Sequence, residues 1–199
     1  FTRIEHIICF TPGTRILTET GERAVETLRA GDMIMTRDNG LQPLGWVGRS
    51  TVDGTGDNAP VAINSTVLPS MRRPLLVSPQ HRMLIEDYNV QMLFGDDEVL
   101  ATAVHMIDGC DVRRLPREKV TYIHLMLDQH EIIYAEGAAT ESFHLGAQGL
   151  MALSDEARDS MYAAYPHLRD NMQAYGPTAR RCLKKHETEL LMACNHRAL

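Results

Sequence analysis

Turn residues cut the chain from Thr14 to Leu150 into short segments, and this pattern constrains the fold more than any other feature. Thr-Gly, Asn-Gly and Asp-Gly steps recur along stretches such as TRILTETGERAVETL, DMIMTRDNGLQPLGWVG, RPLLVSPQHRMLI and EVLATAVHMIDG. These steps favour tight hairpin turns between short strands. The sequence therefore predicts a mainly β domain over residues 9–150.

Two local features of this domain are also predicted. The stretch VDGTGDNA at residues 52–59 is rich in Gly and Asp and is expected to form an exposed loop. Residues 120–127 and 131–135 are rich in strand-forming side chains and are expected to pair as one hairpin. His124 and His130 would then flank the same turn.

A helical C-terminal extension is predicted over residues 151–199, where the character of the sequence changes. Ser154 is followed by two acidic residues, which is typical of a helix N-cap and of a first turn that suits the helix dipole. A second helix is expected after Pro177, because the apolar residues from 179 to 194 fall mostly at three-and-four spacing. We expect this extension to pack against the β domain or a partner.

Composition and charge argue against several classes of function. The formal net charge is -6 and the pI is about 5.8, whereas nucleic-acid-binding surfaces are normally basic, so no nucleic-acid partner is expected. No apolar run approaches the roughly 18 residues that cross a bilayer, so no membrane span is expected. The four cysteines and the histidines show no recognised metal spacing, so neither a metal nor a cofactor is predicted.

Cys9 raises the question of function, because it is the last residue of the stretch HIIC and directly precedes the turn FTPGT. Free cysteine is among the most buried residue types, so a packing thiol is one interpretation. A nucleophile directed at its own backbone is the other. The choice between them depends on two further stretches of the chain.

Three stretches must be considered together: CFTPGTRI, which begins at Cys9, VSPQHRML, which contains Ser78 and His81, and HEIIYAEGAATES, which begins at His130. In this order and spacing they resemble the Hint family, the self-processing module of inteins and hedgehog C-terminal domains, and more closely its bacterial intein-like branch. The resemblance covers roughly residues 9–145. It implies a flattened, horseshoe-like β fold with pseudo-twofold character.

The residue types at these positions suit cleavage of the Ile8-Cys9 peptide bond. The chain itself holds the Cys9 thiol close to the preceding carbonyl carbon, which lowers the entropic cost of an N-to-S acyl shift to a thioester. The amide nitrogen must be protonated as it leaves, and His81 is the candidate donor because imidazole titrates near neutral pH. Ser78 is the candidate to hydrogen-bond the scissile peptide and orient it.

The resemblance also implies a limit to the reaction. Inteins end in an asparagine preceded by histidine, and the corresponding pair here is Glu141-Ser142, so splicing is not expected. N-terminal cleavage remains, with residues 1–8 as the end of an upstream polypeptide that is the substrate in cis. Water, a thiol or an amine would accept the acyl group. His124 is a candidate to assist the reaction, and His130 is a candidate to orient the site.

Two alternatives stay open at this stage. The first is a catalytically inert module with the same fold, which serves interaction or adhesion in a larger secreted or surface protein. The second is a thiol hydrolase that acts in trans on exogenous thioesters. A cut before Cys9 that depends on its thiol would distinguish self-processing from both.

Overall fold

Short β-strands form most of the regular structure. The computed structural model describes residues 8–68, 70–146, 149–150 and 153–196. The strands are β1 (Arg15–Thr18), β2 (Gly21–Ala24), β3 (Met33–Thr36), β4 (Gly40–Pro43), β5 (Trp46–Gly54), β6 (Val61–Ile63), β7 (Leu75–Val77), β8 (Arg82–Ile85), β9 (Val99–Thr102), β10 (Val112–Arg114), β11 (Arg117–Met126), β12 (Ile132–Ala135), β13 (Ala138–Glu141) and β14 (Arg181–Cys182). The α-helices with described bounds are α1 (Tyr88–Phe94), α2 (Asp155–Ala164) and α3 (Lys185–His196).

The strands form one large sheet and two smaller groups. The large sheet has nine strands in the order β14-β9-β8-β13-β12-β1-β3-β4, with β2 paired to β1. The smaller groups are β10-β6-β7 and the long ribbon β11-β5. The predicted mainly β fold with C-terminal helices is confirmed.

The turn between β12 and β13 shows how local sequence sets the strand register. Glu136 and Gly137 both have positive φ angles, 51° and 85°, and two successive residues of this kind give the turn that matches the twist of paired strands. Gly137 also has no room for a side chain, because a Cβ atom there would lie 2.4 Å from the carbonyl oxygen of Ser70. The turn places Ile132 opposite Glu141 across the hairpin.

The predicted hairpin between residues 120–127 and 131–135 is wrong. β11 pairs along its length with β5, from Met126 opposite Trp46 to Arg117 opposite Gly54. β12 instead joins the nine-stranded sheet beside β13 and β1. The residues between β11 and β12 therefore carry the chain from one sheet to another, and strand patterns alone cannot distinguish such a crossing from a hairpin turn. The predicted loop at 52–59 also starts later, because β5 continues to Gly54.

The C-terminal extension is helical, with one short strand that the sequence did not predict. The Ser154 hydroxyl caps α2 by accepting the N–H of Ala157 at 3.2 Å, as predicted. The helix expected over 179–194 begins only at Lys185. The residues before it form β14, which pairs in parallel with β9 at the edge of the large sheet.

Two apolar clusters matter for the site. The main core lies under the sheets and includes Phe10, Val77 and Ile123. A second cluster joins the β domain to the extension; its buried members are Ile8, Trp46, Met126, Phe143, Leu145, Leu153, Ala157, Met161, Tyr165, Leu168 and Tyr175. In the described part of the chain, no helix is long and apolar enough to span a bilayer.

Candidate active site around Cys9

The segment after Ile8 lies between two strands that are distant in sequence. Phe10 donates its N–H to the carbonyl of Ile123 at 3.0 Å and accepts the N–H of Ile123 at 2.8 Å. Phe10 also forms an antiparallel bridge with Val77 on the other side. Because antiparallel partners run in opposite directions, residue 9 comes level with residue 124 on one side and with residue 78 on the other.

Ser78 holds Cys9 by two hydrogen bonds. The Cys9 N–H donates to the Ser78 hydroxyl oxygen at 3.0 Å, and the Ser78 N–H donates to the Cys9 carbonyl at 3.0 Å. The first of these bonds contacts the nitrogen of the Ile8-Cys9 peptide bond itself. Ser78 is therefore in direct contact with that peptide.

The Cys9 thiol lies against the imidazole of His124. The sulfur is 3.0 Å from Nδ1 and 3.5 Å from Nε2, and the thiol and ring are 1% and 0% exposed. Burial, and to a lesser degree the charge of Glu141, raise the pKa of the thiol well above its usual value. Burial lowers the pKa of His124 to about 4, although a hydrogen bond to the backbone of Ile8 partly opposes this. A protonated thiol thus faces a neutral imidazole at neutral pH.

Aromatic side chains hold the His124 ring in place. Trp46 stacks on it with ring centroids 6.0 Å apart, and Phe143 meets it edge-on at 5.1 Å. Both aromatic residues belong to the apolar cluster that contains Ile8. Ile8, which would supply the acyl carbon, and the ring of His124 are therefore packed by the same cluster of side chains.

His81 lies in the next layer around Cys9. Its ring meets that of Phe10 edge-on, with centroids 4.6 Å apart. The main-chain N–H of His81 donates to the Ser78 carbonyl at 3.1 Å. Its Nε2 is hydrogen-bonded to the hydroxyl of Thr140, while its buried Nδ1 has no partner among the described residues. Burial lowers the pKa of His81 to about 4, and the charge of Glu141 offsets only part of this effect.

His130 belongs to a separate polar group. Its Nε2 lies 3.2 Å from a carboxylate oxygen of Glu141, and its Nδ1 accepts the N–H of Ala179 at 2.8 Å. Glu141 also accepts the main-chain N–H of Arg82 at 2.8 Å and its guanidinium at 3.0 Å. Burial opposes ionisation of Glu141, but the contact with His130 and the charge of Arg82 outweigh it and lower the pKa.

Thr140 and Arg82 lie outside the sequence motifs that predict the site, and Glu141 enters those motifs only at the position where inteins have the residue before their last asparagine. The sequence contains one signal, the three consecutive polar residues Thr140, Glu141 and Ser142, which follow an apolar stretch. In the structure all three are fully buried. Buried polar side chains normally have hydrogen-bond partners. No group of side chains suited to a metal ion occurs in the part of the chain that the structure describes.

A comparison with known proteins identifies the family. The family model of the Hint domain matches residues 8–147, so this chain belongs to the Hint domain family. The solution structure of a bacterial intein-like domain from Clostridium thermocellum is 12% identical, with 69% of this chain and 99% of that chain covered and a TM-score of 0.47. The crystal structure of the gp41-1 intein is also 12% identical, with coverage of 66% and 96% and a TM-score of 0.42. No curated protein matches the chain significantly.

Family membership supports a self-processing module as the general class of function. The matched range ends at residue 147, so α2, β14 and α3 lie beyond it. The extension therefore adds contacts to the site from outside the matched domain, through its N–H at Ala179 and the apolar cluster around Ile8.

Proposed function

We propose that this protein cleaves its own Ile8-Cys9 peptide bond by an N-to-S acyl shift, without splicing. One observation carries the proposal: the amide nitrogen of that bond donates to Ser78 while the thiol of the same residue lies 3.0 Å from a neutral imidazole. A merely structural cysteine needs neither contact, because it packs as a small apolar side chain.

The reaction balances within the site. His124 takes the thiol proton, and the Cys9 sulfur attacks the carbonyl carbon of Ile8 through a five-membered ring. The C–N bond then breaks and the amide nitrogen gains a proton. The products are a thioester between Ile8 and the Cys9 sulfur and a free amino group on Cys9. Because the thiol is protonated in the resting site, the neutral base beside it supports the first step.

His81 is the proposed donor to the leaving nitrogen. Its low pKa means that the ring is neutral at rest, so it must receive a proton before it can donate one. The thiol gives up one proton to His124 and the amide nitrogen gains one from His81, so the rearrangement consumes no net proton. Ser78 orients the peptide through the bond to its nitrogen. His130 is proposed to orient the site through Glu141 and not by contact with the thiol.

The side chains of Glu141 and Ser142 favour cleavage without splicing. The Glu141 carboxylate is engaged by Arg82 and lies beside His130. The Ser142 hydroxyl accepts the main-chain N–H of Glu131 at 2.9 Å. Neither side chain offers the amide nitrogen that an asparagine uses to cyclise. Water, a thiol or an amine would therefore release the acyl group.

The test is a fusion in which a folded protein precedes Phe1. After incubation with and without dithiothreitol, intact mass identifies the products. We expect a cut before Cys9 that dithiothreitol accelerates, because an external thiol captures the thioester. Cys9→Ala should abolish the cut, whereas Cys110→Ala, which removes an exposed thiol, should leave it unchanged.

The opposite result favours the inert module. A fusion that stays intact under every condition contradicts self-processing and leaves an interaction or adhesion role. His124→Gln provides a second check, since it keeps a polar side chain of similar reach but removes the base. We expect it to slow cleavage by about 100-fold or more, in line with the usual contribution of a general base.

A further inference from the structure

We infer that Thr140 is a positioning residue, whose hydroxyl fixes the tautomer of His81 so that Nδ1 is the nitrogen that carries protons in the reaction at Cys9. This inference rests on the proposed function. Thr140 lies on β13 and His81 lies just before β8, and these two strands pair with Thr140 opposite Met83. The contact is thus part of the sheet.

The hydroxyl of Thr140 has one proton, and that proton has a clear acceptor. Thr140 Oγ1 donates to the carbonyl oxygen of Arg82 at 2.9 Å, and a carbonyl oxygen can only accept. The hydroxyl must therefore accept in its other contact, with His81 Nε2. It follows that Nε2 carries a proton and that, in the neutral ring, Nδ1 carries the lone pair.

The other ring nitrogen of His81, Nδ1, is buried. His81 and Thr140 are both fully buried, and Nδ1 has no hydrogen-bond partner in the described part of the chain. Buried nitrogen atoms without a partner are rare because they lose their hydration. A site that uses the atom for chemistry accounts for this one.

Main-chain hydrogen bonds connect the backbone of His81, through Ser78, to that of Cys9. The N–H of His81 donates to the carbonyl of Ser78, and the N–H of Ser78 donates to the carbonyl of Cys9. The Phe10 ring, which packs edge-on against the imidazole, belongs to the next residue. The ring is therefore held by the same short turn that holds Cys9.

The fixed tautomer has a consequence for each protonation state. When the ring gains a proton it gains it at Nδ1, and Nε2–H stays bonded to Thr140. When the C–N bond breaks, the Nδ1 proton passes to the Cys9 nitrogen and the ring becomes neutral again. Thr140 accepts from Nε2–H in both states, so it exchanges no proton and touches no reacting atom.

Two substitutions separate the hydroxyl from the shape of the side chain. Thr140→Val keeps the shape but removes the acceptor, and Thr140→Ser keeps the acceptor. In the fusion described above we expect Thr140→Val to cleave at least 10-fold more slowly and Thr140→Ser to stay within about threefold of the unmodified protein, since general acid–base catalysis is worth about 100-fold or more. Thr36→Val is the control, because Thr36 is also buried and donates to a carbonyl, that of Gly40 at 2.7 Å.

A direct measurement tests the tautomer without any cleavage. Imidazole ¹⁵N NMR of the Cys9→Ala protein should show His81 protonated at Nε2 at neutral pH. Thr140→Val in the same background should shift the resonances away from this pattern, and Thr140→Ser should restore it. The ¹⁵N shifts report the hydrogen bond between Thr140 and His81 directly. A purely structural role of Thr140 would not predict a change of tautomer in Thr140→Val that Thr140→Ser restores.

Several results would overturn the inference. A His81 ring protonated at Nδ1 in the Cys9→Ala protein contradicts it directly, even if Thr140→Val fails to fold. Cleavage by Thr140→Val at the unmodified rate contradicts the role in the reaction. If the unmodified fusion does not cleave at all, the proposed function fails, whereas the spectra still decide the tautomer.

Discussion

At the scale of single residues, the site consists of titratable groups that are withdrawn from water. The Cys9 thiol and the rings of His81 and His124 are at most 1% exposed. Burial favours the neutral form of each group, so it raises the pKa of the thiol and lowers the pKa of each imidazole. The resting site is therefore uncharged at these three positions.

The two buried histidines predict a loss of stability in mild acid. Each has a pKa of about 4 when folded and about 6.5 when unfolded, so the unfolded chain binds more protons between these values. The contribution of each neutral histidine to the free energy of unfolding is therefore fully present above about pH 6.5 and is lost as the pH falls toward 4. We expect each histidine to lower the free energy of unfolding by about 2 kcal/mol between pH 7 and pH 5.

Urea unfolding of the Cys9→Ala protein at the two pH values measures this loss. His105 and His144, whose pKa values are also lowered by burial, act in the same direction. His167→Gln is the control, because His167 is exposed and lies outside the set of buried histidines. Equal unfolding free energies at pH 7 and pH 5 would contradict the neutral, buried state of the site.

At the scale of elements, the hairpin of β12 and β13 positions two of the polar groups around the site, Thr140 and Glu141. β13 carries Thr140 and Glu141, and its register against β8 brings them to His81 and Arg82. A shift of one residue would turn every side chain of the strand to the opposite face. The turn at Gly137 therefore affects the site although it lies at the far end of the hairpin.

Gly137→Ala tests this dependence. The new Cβ atom would meet the Ser70 carbonyl at 2.4 Å, and a φ of +85° is itself strained for alanine. We expect the free energy of unfolding to fall by about 3 kcal/mol, from backbone strain and the clash together. Cleavage should slow as well, because the hairpin must shift to relieve the contact.

Gly109→Ala is the matched control for this variant. Its φ is +81°, but nothing lies within 4 Å of the added Cβ atom, so only the strain of about 1–2 kcal/mol should remain. Chemical denaturation of both variants gives the comparison. If the two lose equal stability, the close approach to Ser70 has no energetic effect.

At the scale of the whole molecule, the C-terminal extension packs onto the wall of the site. The indole N–H of Trp46 donates to the hydroxyl of Ser160 at 3.1 Å, and the Tyr175 hydroxyl donates to the carbonyl of Phe143 at 3.1 Å. Gly45 allows Tyr165 of the extension to approach the β domain closely, because a Cβ atom at position 45 would lie 1.6 Å from the Tyr165 hydroxyl oxygen. The extension therefore supports the aromatic side chains that hold His124.

Met161→Ala tests whether the site depends on this packing. Met161 is fully buried in the cluster that also contains Ile8, Trp46 and Phe143. Its truncation leaves a cavity, which should lower the free energy of unfolding by about 2–5 kcal/mol. We also expect slower cleavage of the fusion, measured where the variant is still fully folded, because Ile8 and His124 lose part of their support.

Leu190→Ala provides the comparison on the other helix of the extension. Leu190 is 50% exposed, and surface substitutions of this kind usually change stability by less than about 0.5 kcal/mol. Both its stability and its cleavage rate should match the unmodified protein. Normal cleavage by folded Met161→Ala would show that the extension does not support the reaction.

Local signals in the sequence were sufficient to predict the family, the mainly β class and the N-cap of α2. Motifs around Cys9, Ser78 and His81 are short, so they can be recognised within a few residues. Their catalytic roles remain predictions, as do those of His124 and His130. The hairpin prediction failed at β11 because its partner, β5, lies about 70 residues earlier in the chain.

The sequence by itself determined the nucleophile candidate, the mainly β class and the cap of α2, since each depends on neighbours along the chain. The tertiary structure alone decided which side chains meet. Cys9 contacts Ser78 and His124 across separations of 69 and 115 residues, and His81 meets Thr140 across 59. Such contacts arise from the pairing and packing of distant strands, which no local pattern specifies.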